Sequence, residues 1–113
     1  MPQSFASGEA LLAAIVESSD DAIIAKDLNG IIRSWNRGAE RIFGYTAAEA
    51  LGKPVSILAA PDRNEMPDML ARVRRGERVD HYETRRRRKD GTIIIVSLTI
   101  SPLRNEQGEI IGA

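Results

Sequence analysis

The chain has 113 residues, 42% of them hydrophobic and 28% charged, and its formal net charge is zero. Length and composition fit one globular domain with a single modest core, and the balanced charge leaves no overall field to draw in nucleic acid or an anionic membrane. The chain has no cysteine, which excludes disulfides, thiolate metal sites and thiol chemistry.

Residues 1–8 are small and polar and read as a flexible lead-in. Residues 9–17 place Leu11, Leu12, Ile15 and Val16 on one apolar helical face, with Ser7 as a candidate cap. Residues 22–26 form a short apolar strand, and the Asp-Leu-Asn-Gly sequence at 27–30 is a turn signal, since Asn-Gly tolerates positive φ. Residues 31–35 are the returning strand of that hairpin. Asn36 is placed to cap the next helix, whose apolar face is Ala39, Ile42 and Phe43 and whose end is Gly44. Thr46 and Glu49 have capping-box spacing for another short helix, closed by Gly52 and Pro54. Residues 55–60 suit one helical turn.

Pro61 and Asp62 open a clearer helix, with Asp62 and Glu65 again at capping-box spacing. Met66, Met69, Leu70 and Val73 share one of its faces, and Gly76 ends it. Pro67 demands either a bend or a later start near itself. Residues 77–88 alternate as a long half-exposed strand, and Lys89-Asp90-Gly91 is a hairpin turn. Residues 92–103 are β-branched and apolar, with Val96, Leu98 and Ile100 on one face. Residues 105–108 make the next turn, and residues 109–113 start a last strand that reads as truncated. Strands at both ends with helices between them indicate an α+β domain on an antiparallel sheet.

Neither apolar run, at 11–16 or at 93–96, approaches the roughly 20 residues of a membrane span. The N-terminus lacks a basic segment followed by an apolar one, so no signal peptide, no direct membrane contact and a cytoplasmic location are expected. The chain shows no nucleophile, base and orienter set, no Gly-rich phosphate loop and no metal cluster, so catalysis is not expected of it. His81 is the one histidine and lies in the long polar strand, where a solvated place is expected. Residues 85–89 are a basic run that could contact phosphate, but a strand sends alternate side chains to opposite faces and no aromatics interleave it. A solvated strand end without nucleic acid is the expectation. Asp20 and Asp21 lack partners for a catalytic dyad.

The order of elements, and the sequence SWNRGAERIFGY at 34–45, resemble PAS sensor domains. Matching motifs are the turn at 27–30, Trp35-Asn36, Gly44-Tyr45 with Glu49 and Gly52, Arg75-Gly76-Glu77, Lys89-Asp90-Gly91 and Ser101-Pro102. The resemblance covers residues 9–113 as a single domain and is strongest to the PAS domains of bacterial sensor histidine kinases. It implies a five-stranded antiparallel sheet cupping short helices, an N-terminal flanking helix, and a covalently attached effector domain in a longer parent. It also implies that Asn36 bonds backbone across the strand–helix junction, and that Leu11, Leu12, Ile15 and Val16 form a homodimer interface. A cavity lined by Trp35, Phe43, Met66, Met69, Leu70, Val73, Val96, Leu98 and Ile100 suits a small hydrophobic or flat ligand, and equally suits a packed core with none.

Cofactor identity stays unknown from the sequence. The flavin branch of the family forms a cysteine adduct, which this chain cannot. Haem-binding members carry a histidine on the long helix. Residues 63–70 hold none, and Met66 stands near that place, where filling the core is the expected role. Haem and a protein-only metal site are not expected.

Overall fold

The computed structural model describes residues 8–113. The expected lead-in up to residue 7 and the capping role of Ser7 lie outside the described residues, and Gly8 is already helical. The first helix, α1, spans Gly8–Ser18. The hairpin follows as β1, Ile24–Lys26, and β2, Ile32–Trp35, paired antiparallel. Its turn is built by Asp27, whose Oδ1 accepts from the Asn29 and Ile31 amides at 2.9 and 3.0 Å. Gly30 supplies the φ of 79° that reverses the chain.

Helix α2, Arg37–Phe43, ends at Gly44 with φ 85°. Helix α3, Ala47–Ala50, carries the expected capping box of Thr46 and Glu49. One 3₁₀ turn, Val55–Leu58, occupies the stretch that suited a single helical turn. Helix α4 is Met66–Arg74. The expected opening at Pro61 and Asp62 is therefore corrected, and with it the capping box of Asp62 and Glu65. Both acids turn instead to arginines of the following strand, Asp62 to Arg85 and Glu65 to Arg86. The later start also resolves Pro67, which falls in the first turn, where backbone N–H groups have no partner within the helix. At the far end the Gly76 amide reaches Val73 O and the Glu77 amide reaches Arg72 O, a Schellman closure.

Strand β3, Val79–Arg87, pairs antiparallel with β4, Ile93–Ile100. The long strand expected over 92–103 breaks at Ser101-Pro102, proline having no amide for the ladder, and resumes as β5, Leu103–Arg104, paired with β6, Ile110–Gly112. The described residues thus form three two-stranded antiparallel ladders where one five-stranded sheet was expected. Lys26 and Ala113 exchange backbone bonds of 2.8 and 2.9 Å, which ties β1 to the end of β6.

The core gathers Ile32, Trp35, Ala39, Phe43, Ala50, Leu58, Ala59 and Met66. Trp35 organises it. Its ring lies 5.8 Å from Phe43 and 6.5 Å edge-on from Tyr45, and its Nε1 donates to Tyr45 O at 2.9 Å. Burying such rings with their polar edges satisfied is a large apolar gain at little polar cost.

Candidate functional site

Asn36 is 2% exposed and sits where four segments meet. Its Oδ1 accepts from Ala39 N at 3.0 Å, capping α2, and from Ile23 N at 2.9 Å. Its Nδ2 donates to Val16 O at 2.8 Å and Asp21 O at 2.9 Å. One amide thus holds the end of α1, the connection to β1, and α2. Gly38 makes the approach feasible, because a Cβ there would lie 2.2 Å from Asp21 O.

The structure divides the nine cavity residues. Trp35, Phe43 and Met66 belong to the core cluster, while Met69 and Val73 are buried on the same face of α4. Leu70 is half-buried at the edge of a cleft. Val96, Leu98 and Ile100 are half-buried along β4, alternating with exposed residues. On α1, Leu11, Leu12 and Ile15 are exposed, Leu12 by 64%, and Val16 is half-buried.

Sequence reasoning missed the charged group beneath α4. Arg86 is only 4% exposed, so the reading of 85–89 as a solvated strand end is corrected. Its guanidinium pairs with Glu65, which also accepts from Thr84 Oγ1 at 3.0 Å and meets Arg63 Nε at 3.1 Å. Burial pushes the Glu65 carboxyl upward, but the Arg86, Thr84 and Arg63 partners outweigh it and hold the acid below its usual range. The rest of the run is largely engaged inside the chain. Arg85 pairs with Asp62, Arg88 Nε donates to Ile42 O at 2.9 Å, and Lys89 pairs with Glu49, whose carboxyl is held at about 2. The signal for Arg86 was present in the strand period, because it shares a face with Thr84, itself 4% exposed.

Beside this group lies an open-sided cleft of about 190 Å³, between the end of β1, the 3₁₀ turn and the start of α4. Lys26, Asn29, Ser56, Asn64, Met66 and Leu70 line it. Burial lowers the Lys26 ammonium below the usual lysine range, and nearby Arg86 adds to the effect. A second cleft, of about 300 Å³, opens at Phe43, Gly44, Arg88, Lys89 and Asp90. His81 is exposed, at a bulge of β3 with φ 48°. Asp20 pairs with Arg41 at 3.1 Å.

The residues present do not fit haem or an adduct-forming flavin. Met66 is 6% exposed within the core, the buried arginine Arg86 is already paired with Glu65, and cysteine is absent. Among the described residues no group of three or more His, Cys, Asp or Glu side chains could hold a metal ion. No helix of the described residues is long and apolar enough to cross a membrane.

Residues 10–113 match the PAS fold. The chain is 32% identical over 102 residues to sensor protein FixL of Bradyrhizobium diazoefficiens, a match covering 86% of this chain and 20% of that protein. It is 34% identical over 99 residues to the signal transduction histidine-protein kinase AtoS of Escherichia coli, covering 88% of this chain and 16% of that protein. The chain therefore spans a fifth or less of the length of these relatives. Among solved structures, a PAS domain of a Colwellia psychrerythraea protein superposes with TM-score 0.78 at 28% identity, over 92% of this chain and 89% of that one. An RNA-binding light-oxygen-voltage receptor shares the fold, with TM-score 0.82 at 24% identity, over 99% of this chain and 34% of that one. The junction built on Trp35 and Asn36, the helices packed on antiparallel strands and a match across nearly all of the chain lead to one conclusion: the chain belongs to the PAS family.

Proposed function

We propose that this chain is the sensory or regulatory domain of a bacterial signal-transduction protein, in the cytoplasm, joined to an effector such as a histidine kinase. The observation that carries the reading is the match of 86–88% of the chain to the sensor protein FixL and the histidine kinase AtoS. The domain itself is read as non-catalytic. Signalling works through a population of arrangements that a ligand or a partner copy shifts, which requires unequal affinity for the two states. The three ladders are read as parts of one sheet, in which the Lys26 and Ala113 bonds tie the β1–β2 ladder to the β5–β6 ladder. Two copies pair through α1, where exposed Leu11, Leu12 and Ile15 offer apolar area whose burial favours association.

A second reading, a ligand-free dimerisation module, is favoured by the place of Met66 in the same buried cluster as Trp35 and Phe43. The regulatory role is tested in a chimera in which residues 8–113 replace the matching domain of AtoS. We expect its autophosphorylation to differ from that of the kinase with the domain deleted, and to change again with Leu12→Asp. Autophosphorylation equal to that of the deleted form, and indifferent to Leu12→Asp, contradicts the sensory role.

A further inference from the structure

The geometry points to a small organic carboxylate as the ligand of the cleft beneath α4, its charged end on Lys26 and its carbon chain against Met66 and Leu70. The proposal rests on the sensory reading and adds to it a chemical class of ligand.

The first observation is an excess of positive charge. Buried Arg86 acts on Lys26 across this side of the interior, Arg63 stands at its exposed edge, and Glu65 is the acid among them. Glu65 is already committed to Arg86, Arg63 and Thr84. Among the described residues Lys26 has no ion-pair partner. Its backbone is held in place, because its N–H and C=O are both bonded to Ala113, at 2.8 and 2.9 Å. A half-buried ammonium without a counter-ion is costly unless water or an anion compensates it. The lowered proton affinity of Lys26 expresses that cost, and an anion beside it would reverse the shift.

The second observation is the shape and lining of the space. About 190 Å³ holds roughly six water molecules at ~30 Å³ each, the bulk of a short-chain acid. Met66, Leu70, Pro54, Pro67 and Val55 give it apolar walls, which suit a carbon chain better than a bare, fully hydrated phosphate. Asn64 spends its side-chain oxygen on the Met66 amide at 3.2 Å, which leaves its NH2 group to donate. A carboxylate can accept from both the ammonium and that amide.

The test uses the purified chain, titrated up to about 50 mM with butanoate and hexanoate, with the matching alcohols and inorganic phosphate as comparisons. Thermal unfolding and calorimetry are the readouts, on the wild type and Lys26→Met. The expected result is stabilisation by the acids and not the alcohols, with affinity at least about tenfold weaker in Lys26→Met, the loss of one charge-assisted bond. A second readout in the unaltered protein is the Lys26 13Cε NMR titration, whose midpoint should rise when butanoate is added. Equal binding by both proteins, an unmoved Lys26 titration, no binding by either acid, or preference for phosphate or alcohol each overturns the proposal. The AtoS chimera fails independently. Regulated autophosphorylation without carboxylate binding removes only the ligand class, and Lys26-dependent binding in an unregulated chimera removes only the sensory reading.

Discussion

Around Asn36, every polar side-chain atom meets a backbone group, whereas around Arg86 the matching is between charges and Lys26 is left out of it. The first region joins α1, β1 and α2 through one neutral amide that has four bonds and no surplus charge. The second region places an arginine, a glutamate and a threonine under α4, with further cations at the edge. A satisfied amide in a tight junction has one good arrangement. An unpaired cation beside such a matched group, at an open cleft, has its energy set by whatever counter-ion is present. The contrast separates two ends: Asn36 anchors the junction, and the end near Arg86 and Lys26 is where the proposed carboxylate would bind.

The largest expected effect comes from Asn36→Ala, which strips partners from the amides of Ile23 and Ala39 and the carbonyls of Val16 and Asp21. With unmade buried bonds at ~1–3 kcal/mol each, partly recovered by water, the cost should be about 4 kcal/mol. That is a fall in Tm of roughly 20 °C by calorimetry for a domain of this size. A loss within a few degrees of wild type would mean that Asn36 is no anchor.

Arg86→Met should cost less, about 3 kcal/mol in denaturant titrations, because Arg63 still faces the Glu65 carboxylate. The comparison sharpens if Glu65→Leu is added. Replacing both members of a buried pair by apolar groups is often neutral, so the double variant should recover most of the loss. No recovery would mean that the charges are held by something other than each other.

The pairing of Glu49 with Lys89 should matter less than either and should show itself in pH. The Glu49 carboxyl is lowered from 4.5 to about 2, so its stabilising contribution is present above pH 4.5 and is lost as pH falls towards 2. Wild type should therefore exceed Glu49→Gln in Tm at pH 7, and the gap should close across that acid window. A gap that stays constant from pH 7 to about 2 rules out the ion pair as its source.

Smallest in stability, though not in assembly, is Leu12→Asp. Leu12 is exposed, so the change should alter the folding free energy of a monomer by no more than ~0.5 kcal/mol. Light scattering should nevertheless show the dimer replaced by a monomer. An unchanged mass would remove α1 as the interface.

The sequence made the Asn36 side of the molecule legible and left the Arg86 side hidden, for a physical reason. Caps, turns and apolar periods act within a few residues, so Asp27, Asn36, Gly44, Thr46 and Gly76 could each be placed from their neighbours. The resemblance to a family then ordered those pieces into one fold. Glu65 and Asp62 looked like parts of a local cap, but their partners lie 21 and 23 residues away on β3, and no local pattern encodes that choice. Lys26 was read as the last residue of a strand. Only the tertiary arrangement that sets the start of α4 across a cleft from the end of β1 and the 3₁₀ turn makes it a wall of that cleft. The break at Pro102 was readable from proline's missing donor and was absorbed into too long a strand.

Residue-resolved amide hydrogen exchange of the purified chain tests most directly whether the two regions differ in kind. The amides of Ile23 and Ala39, bonded to Asn36, should exchange only through global unfolding, while the Met66 amide and the start of α4 should exchange through local opening at lower free energy. Equal protection at both ends, or an Asn36 junction that opens first, would contradict the division into an anchored end and an open one.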